Sequence, residues 1–285
     1  NRLSTEKRAQ VAGCLVEGMS IRATVRTTGV AKNTIVKLLA DLGSACSAYA
    51  DMALRDLDIQ RIEADEIWSF CYAKQKNVPE EFRGTEGYGD VWTWVAIDAD
   101  TKLVPSWLVG ERTTEDCFQF LHDLRTRMPQ GHRFQLFTDG YRCYRSAVDI
   151  LWAPDEIDYA LVIKDYDSNE GPGTHRYSPA TCKSVEKKVV HGDPDAAKIS
   201  TSFVERQNLT MRMGMRRFTR LTNAFSKKIE NHAHAISLHF FHYNFCRAHQ
   251  TLSGKGRGQG TPAMAAGVET APWTITQLCE LLESN

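Results

Sequence analysis

No segment of this chain is apolar for long enough to cross a membrane. The candidate run Lys227–Cys246 is broken by His232, His234, His239 and His242 and by several polar residues, whereas a span needs about 20 apolar residues in a row. The N-terminus has no charged-then-apolar signal pattern, and the sequence has no internal repeat. None of the eight cysteines, at 14, 46, 71, 117, 143, 182, 246 and 279, has the two-residue spacing of a zinc knuckle. Thiols scattered singly read as those of a reduced, cytoplasmic protein. Net charge is absent too, with 35 Lys and Arg against 35 Asp and Glu.

That zero hides a partition. Residues 1–55 hold eight basic against four acidic side chains, residues 56–202 hold 17 against 26, and residues 203–260 hold ten against two. Basic flanks around an acidic centre suit a protein that grips phosphates at its ends and holds metal in the middle. At 285 residues the chain can bury a real core and is expected to hold at least two domains.

Residues 1–43 read as a helix-turn-helix domain. An apolar face over Glu6–Glu17 predicts a first helix. Ser20 is positioned to cap a second, Ile21–Thr28, and Gly29 supplies the turn. A third helix is expected over Ala31–Asp41, with Val30, Ile35, Leu38 and Leu39 inward and Gly43 as its stop. Lys32, Asn33 and Thr34, with Lys37 one turn on, would then face the major groove of double-stranded DNA. Residues 44–56 read as a helical linker.

From Leu57 strands take over. Alternation over Leu57–Asp65, the run Val91–Ile97 and the run Leu103–Val109 predict three strands in an antiparallel meander. Pro105 suits a sheet edge. Thr113 or Thr114 caps a helix with Phe118, Phe120, Leu121 and Leu124 on its core face. A strand at Phe134–Thr138, a helix at Tyr141–Leu151 and a strand at Asp158–Lys164 follow. This order predicts an α/β protein: a ribonuclease H-like mixed sheet with flanking helices over residues 57–225, preceded by the all-α helix-turn-helix domain. Residues 165–199, rich in Gly, Pro, Asp and Lys, read as an extended insertion. Residues 226–285 read as a C-terminal helical region, with its histidines packed in a core.

Three carboxylates stand out by their settings. Asp65 ends an apolar strand, Asp139 ends another before Gly140, and Glu205 opens a basic helix. Two-metal phosphoryl chemistry needs such a convergence, with hard cations about 3.5–4 Å apart held by oxygen ligands. Glu63 shares the strand face of Asp65 and is a substitute for it; Glu66 should point to the other face. Asp98 fits a hairpin turn instead. Asn208 and Arg212 fall on the Glu205 face at helical spacing. Arg206, Arg216, Arg217 and Arg220 extend a basic surface toward DNA. Trp68, Tyr141 and Tyr144 lie near the acids in sequence and suit either base stacking or the core.

The segments Arg61–Phe70, Leu136–Tyr144 and Ser202–Arg212 resemble the three catalytic blocks of DDE transposases, in particular those of bacterial insertion sequences of the IS-one type. Phe225–Lys228 and His242–Arg247 resemble that family's C-terminal part, and the likeness covers roughly residues 5–265. The resemblance implies an acidic triad of Asp65, Asp139 and Glu205, two magnesium or manganese ions per active site, and Arg212 as the downstream basic residue. It also implies binding of terminal inverted repeats and target DNA, assembly as a homo-oligomer, and a place on the nucleoid when DNA is bound. Some relatives carry a zinc element ahead of the helix-turn-helix, for which this chain has no cysteine pair. The expected activity is DNA strand cleavage and strand transfer. A non-catalytic helix-turn-helix regulator and a host nuclease of the same fold are the alternatives.

Overall fold

The computed structural model describes residues 3–166, 182–219, 223–252 and 260–283. Three helices come first: α1 (Thr5–Val16), α2 (Ile21–Thr28) and α3 (Lys32–Ala53). The Ser20 hydroxyl accepts from the Ala23 N–H at 3.1 Å and caps α2. Gly29, at φ 70°, ends that helix in the left-handed conformation that glycine adopts freely. Val30, Ile35, Leu38 and Leu39 are buried, as their spacing predicts.

The third helix does not stop at Gly43. It runs on to Ala53 and absorbs most of the stretch expected as a linker. The reason is packing against α7 (Ile229–Phe241). A Cβ on Gly43 would lie 2.4–2.5 Å from the backbone oxygen, Cα and Cβ of His234. Glycine is therefore the point where two helices approach closely, not a terminator. Leu42, Cys46, Ala50 and Leu54 continue the buried stripe on α3. They join one apolar cluster that reaches from Val11 to Cys279 and includes the central sheet.

The sheet has six strands in the order β3-β2-β1-β4-β5-β6. They are β1 (Arg61–Cys71), β2 (Gly89–Asp98), β3 (Ser106–Gly110), β4 (Gln135–Asp139), β5 (Asp158–Tyr166) and β6 (Cys182–His191). Strands β1, β2 and β3 form the antiparallel meander, and β4 and β5 add in parallel through α4 (Thr114–Thr126) and α5 (Arg142–Leu151). Thr113 caps α4, accepting from the Asp116 N–H at 3.1 Å. Helix α6 (Ser202–Gly214) returns against β1 and β2. A mixed six-stranded sheet with flanking helices is compatible with a ribonuclease H-like fold.

Two expectations need correction here. Strand β1 does not end at Asp65 but runs to Cys71, paired throughout with β2. Part of the expected insertion is β6, which pairs antiparallel with β5 and makes the sheet's far edge; residues 167–181 of that insertion lie outside the described residues. Among the described residues, the C-terminal part holds α7, a π-helical turn at His242–Cys246, α8 (Pro262–Ala265) and α9 (Ile275–Glu280). His232 is buried between the hydroxyls of Ser69 and Ser226. His239 is buried as well, and burial holds both imidazoles neutral, down to about 3. They are core residues. Among the described residues, no helix is long and apolar enough to cross a membrane.

Candidate active site

The register between β1 and β4 builds the site. Their parallel ladder covers Arg61–Ala64 and Gln135–Thr138 and then stops. The next residue on each strand is an aspartate, Asp65 and Asp139. From there β1 continues with β2 alone, so the two chains part and leave a cleft at the carboxyl end of β4. In that cleft one carboxylate oxygen each from Asp65, Glu66 and Asp139 lies within 4.8 Å of the others.

Each acid is held by neighbours. The Asn208 side chain on α6 donates to Asp65 Oδ2 at 2.9 Å. The Tyr141 N–H donates to Asp139 Oδ1 at 2.9 Å. Glu66 Oε1 accepts from Arg112 Nε at 2.7 Å, and its Oε2 accepts from the buried Tyr144 hydroxyl at 3.0 Å. Arg112 is also ion-paired to Glu66 at 2.5 Å. Glu66 was expected to face away; it does leave the α6 side of the sheet, yet it enters the cluster because β4 is no longer there to separate the two faces. Arg112, just before the Thr113 cap, carries no motif that sequence reasoning could have used.

Glu205 stands apart from this group. It is exposed, ion-paired to Lys164 of β5, and accepts from the Thr201 hydroxyl at 2.6 Å. Its charge still reaches the cluster. Burial pushes the Asp65 carboxyl up to about 8, with the negative charges of Glu66, Asp139 and Glu205 adding to the rise. Asp139 is raised by burial and by Glu205, against the opposing Tyr141 N–H and Arg112. Glu66 is raised by burial and by Asp139. Among the described residues neither Asp65 nor Asp139 makes an ion pair.

Glu63, the substitute for Asp65, has another task. It is fully buried, and its Oε2 accepts the N–H groups of Phe203 and Val204 at 2.7 and 3.1 Å. It thereby docks the N-terminus of α6, whose free N–H groups favour an anion. Asp98 caps the turn after β2, accepting from the Asp100 N–H at 3.0 Å and the Thr101 hydroxyl at 2.5 Å.

The expected DNA-facing residues divide. Lys32, Asn33 and Thr34 are exposed at the start of α3; Lys37 is exposed and paired with Asp41 at 2.6 Å. Arg206 and Arg216 are exposed, and Arg212 is half-buried. Arg217 does not extend this surface. It turns inward to the Ser226 hydroxyl at 2.8 Å and the Asn231 carbonyl at 3.2 Å, and burial lowers it to about 10. Arg220 lies outside the described residues.

No family model matches the chain, and no curated protein does. Among solved structures, the Mos1 strand transfer complex is similar at 12% identity, over 54% of this chain and 61% of that one, with a TM-score of 0.22. A pre-cleavage Mos1 transpososome is similar at 10% identity, over 56% and 60%, with a TM-score of 0.23. An Argonaute of Aquifex aeolicus is similar at 10% identity, over 73% and 31%, with a TM-score of 0.28. The chain spans about three-fifths of the Mos1 chains it matches.

Proposed function

We propose that this protein is a DDE-type DNA transposase that uses divalent metal to hydrolyse a DNA strand and then to join the freed 3′ oxygen to the phosphorus of a second phosphodiester, whose own 3′ oxygen leaves. The observation that carries the reading is the meeting of Asp65, Glu66 and Asp139 in a cleft with an uncompensated excess of negative charge. An all-oxygen, all-carboxylate set fits a hard cation such as magnesium or manganese. Asp65, Asp139 and Glu205 would hold the ions, and Glu66 offers one further oxygen. Bound there, two such ions supply Lewis-acid stabilisation of the attacking and leaving oxygens.

The chain's own residues prepare that chemistry. Asn208 and the Tyr141 N–H fix the rotamers of Asp65 and Asp139. Thr201 and Lys164 hold Glu205 at the mouth. Carboxylates aligned before substrate arrives need little reorganisation during reaction. Lys32, Asn33, Thr34 and Lys37 are assigned to the terminal inverted repeats, and Arg206, Arg212 and Arg216 to phosphates near the scissile bond. Joining two DNA ends implies a homo-oligomer on DNA.

The test is manganese-dependent nicking of DNA carrying the element's ends. Asp139→Asn should abolish nicking, by at least about 100-fold, while DNA binding survives. Wild-type nicking by that variant removes Asp139 from the mechanism. Lys32→Ala with Asn33→Ala should weaken end-specific binding and leave non-specific binding largely intact; equal loss on all DNA would reduce both residues to phosphate contacts.

A further inference from the structure

Beyond Asp65, β1 runs on against β2 with no β4 on its other side, and β3 flanks β2 as far as Trp92. Side chains alternate along a strand, so Glu66, Trp68 and Phe70 share one face. Trp92 lies directly across from Trp68 and presents to the same face. Trp68 and Trp92 are only half-buried. Their neighbour Trp94 shows what a core tryptophan looks like here: it is fully buried against Phe120 and Tyr144, and its indole N–H donates to the Glu111 carbonyl at 3.1 Å.

The half-open rings alternate with cations. Arg112 holds Glu66, and its guanidinium carbon lies 4.0 Å from the Tyr141 ring centre and 4.8 Å from that of Trp92. Phe70, itself buried, backs the strip: its ring lies 5.7 Å from Trp68 and 5.0 Å from the half-buried Phe225. Lys74 sits over Trp68 and Phe70 at 5.8 and 5.9 Å. The strip starts at the carboxylate cluster and runs about 13 Å from Glu66 to Phe70, at ~3.3 Å per residue.

We propose that this strip is a binding track for unpaired nucleobases of the DNA strand that enters the carboxylate cleft. Bases stack on Trp68 and Trp92, and Arg112 and Lys74 meet the adjoining phosphates. Aromatic faces interleaved with cations are the recurrent means of holding single strands. Continuity with the acid cluster through Arg112 picks a nucleic-acid strand as occupant, because only a chain of phosphates and flat rings matches both halves of the strip. The choice of DNA rests on the transposase reading above.

The experiment measures binding by tryptophan quenching, in EDTA so that cleavage does not enter. The probes are a short single-stranded oligonucleotide and an abasic strand of equal length and phosphate charge. Wild-type protein should bind the base-bearing strand roughly 10- to 100-fold more tightly, the loss expected when one stacked base is removed. Trp68→Leu should fall to the abasic level, and Trp68→Phe, which keeps a ring, should retain most of the preference. Equal binding of both strands by wild-type protein overturns the inference and requires no variant to fold. So does an unchanged preference in natively melting Trp68→Leu. Base preference without metal-dependent nicking would support the track and sink the enzymatic reading; nicking without base preference would do the reverse.

Discussion

Replacing Asp65 with Asn should stabilise the metal-free protein, and the gain should grow with pH. Asp65 is buried among like charges that lift its carboxyl to about 8, against about 3.9 in an unfolded chain. The folded state therefore keeps a proton that the unfolded state has already lost. Between those limits unfolding releases a proton, and stability falls as pH rises, by about 1.4 kcal/mol per unit for this one group. Below pH 4 the penalty is absent; above pH 8 it is constant. Asparagine keeps the shape and can still accept from Asn208, but it carries no charge. The stability gap between variant and wild type should thus open by about 1.4 kcal/mol per pH unit between pH 5 and pH 7, a slope that protein relaxation can only reduce. Glu63, Glu66 and Asp139 titrate with the same sign in both proteins and largely cancel in the difference. The assay is urea unfolding at several pH values in EDTA. Manganese should then reverse the order: at a concentration 100-fold above its dissociation constant it adds about 2.7 kcal/mol to wild type and much less to the variant. A pH-independent gap, or equal stabilisation of both proteins by manganese, would refute the charge-crowded cleft.

Gly43→Ala should destabilise by about 1–3 kcal/mol through overpacking of α3 on α7, although alanine favours a helix by about 1 kcal/mol; a net gain in urea unfolding would show that His234 yields freely. Glu63→Ala should cost about 1–2 kcal/mol as a lost helix anchor and release the first amides of α6 to hydrogen exchange, with Glu63→Gln milder; unchanged protection at Phe203 and Val204 would remove Glu63 from docking α6. Arg216→Ala should weaken DNA binding and lower its salt dependence by about one phosphate with native stability. Arg217→Ala should do the opposite, losing stability because the Ser226 and Asn231 contacts go; matching effects from the two variants would contradict their opposite burial.

The first five strands were legible because each obeys a local rule, whereas β6 lay hidden in the expected insertion. Alternation marks β1, the run Val91–Ile97 marks β2, a capping threonine starts α4, and an Asp-Ala-Asp-Thr turn separates β2 from the following edge segment. What escaped the sequence depends on partners far along the chain. Gly43 looks like a stop until His234, nearly two hundred residues later, requires its missing side chain. Arg217 looks like its exposed neighbour Arg216 until Ser226 and Asn231 draw it inward. Glu66 does alternate to the face opposite Asp65, but β4 no longer pairs with β1 there, and its carboxylate reaches the cluster around the open edge, which depends on where a distant strand ends. Helical spacing put Asn208 beside Glu205; its partner in the structure, the Asp65 carboxylate, lies on a strand 143 residues earlier that helical spacing does not reach.

Charge counting in the cleft leads to one more expectation. Once the Asp65 proton has left, Asp65, Glu66, Asp139 and Glu205 bring four negative charges to the site, and Arg112 and Lys164 return two positive ones. The remainder equals one divalent cation. A second ion would make the site net positive unless DNA phosphates arrive with it, and placing unbalanced charge in a partly buried cleft is costly. Manganese titrations at pH 8, followed by electron paramagnetic resonance, should therefore find one tight ion per chain without DNA and two with an end-bearing duplex. Lys164→Gln removes the resident counter-charge of Glu205 and should tighten manganese binding in the absence of DNA, by severalfold to tenfold for one charge at this range and effective dielectric. Two tight ions without DNA, or affinity unchanged in Lys164→Gln, would mean that Glu205 and its lysine lie outside the electrostatic unit, leaving Asp65, Glu66 and Asp139 to act without it.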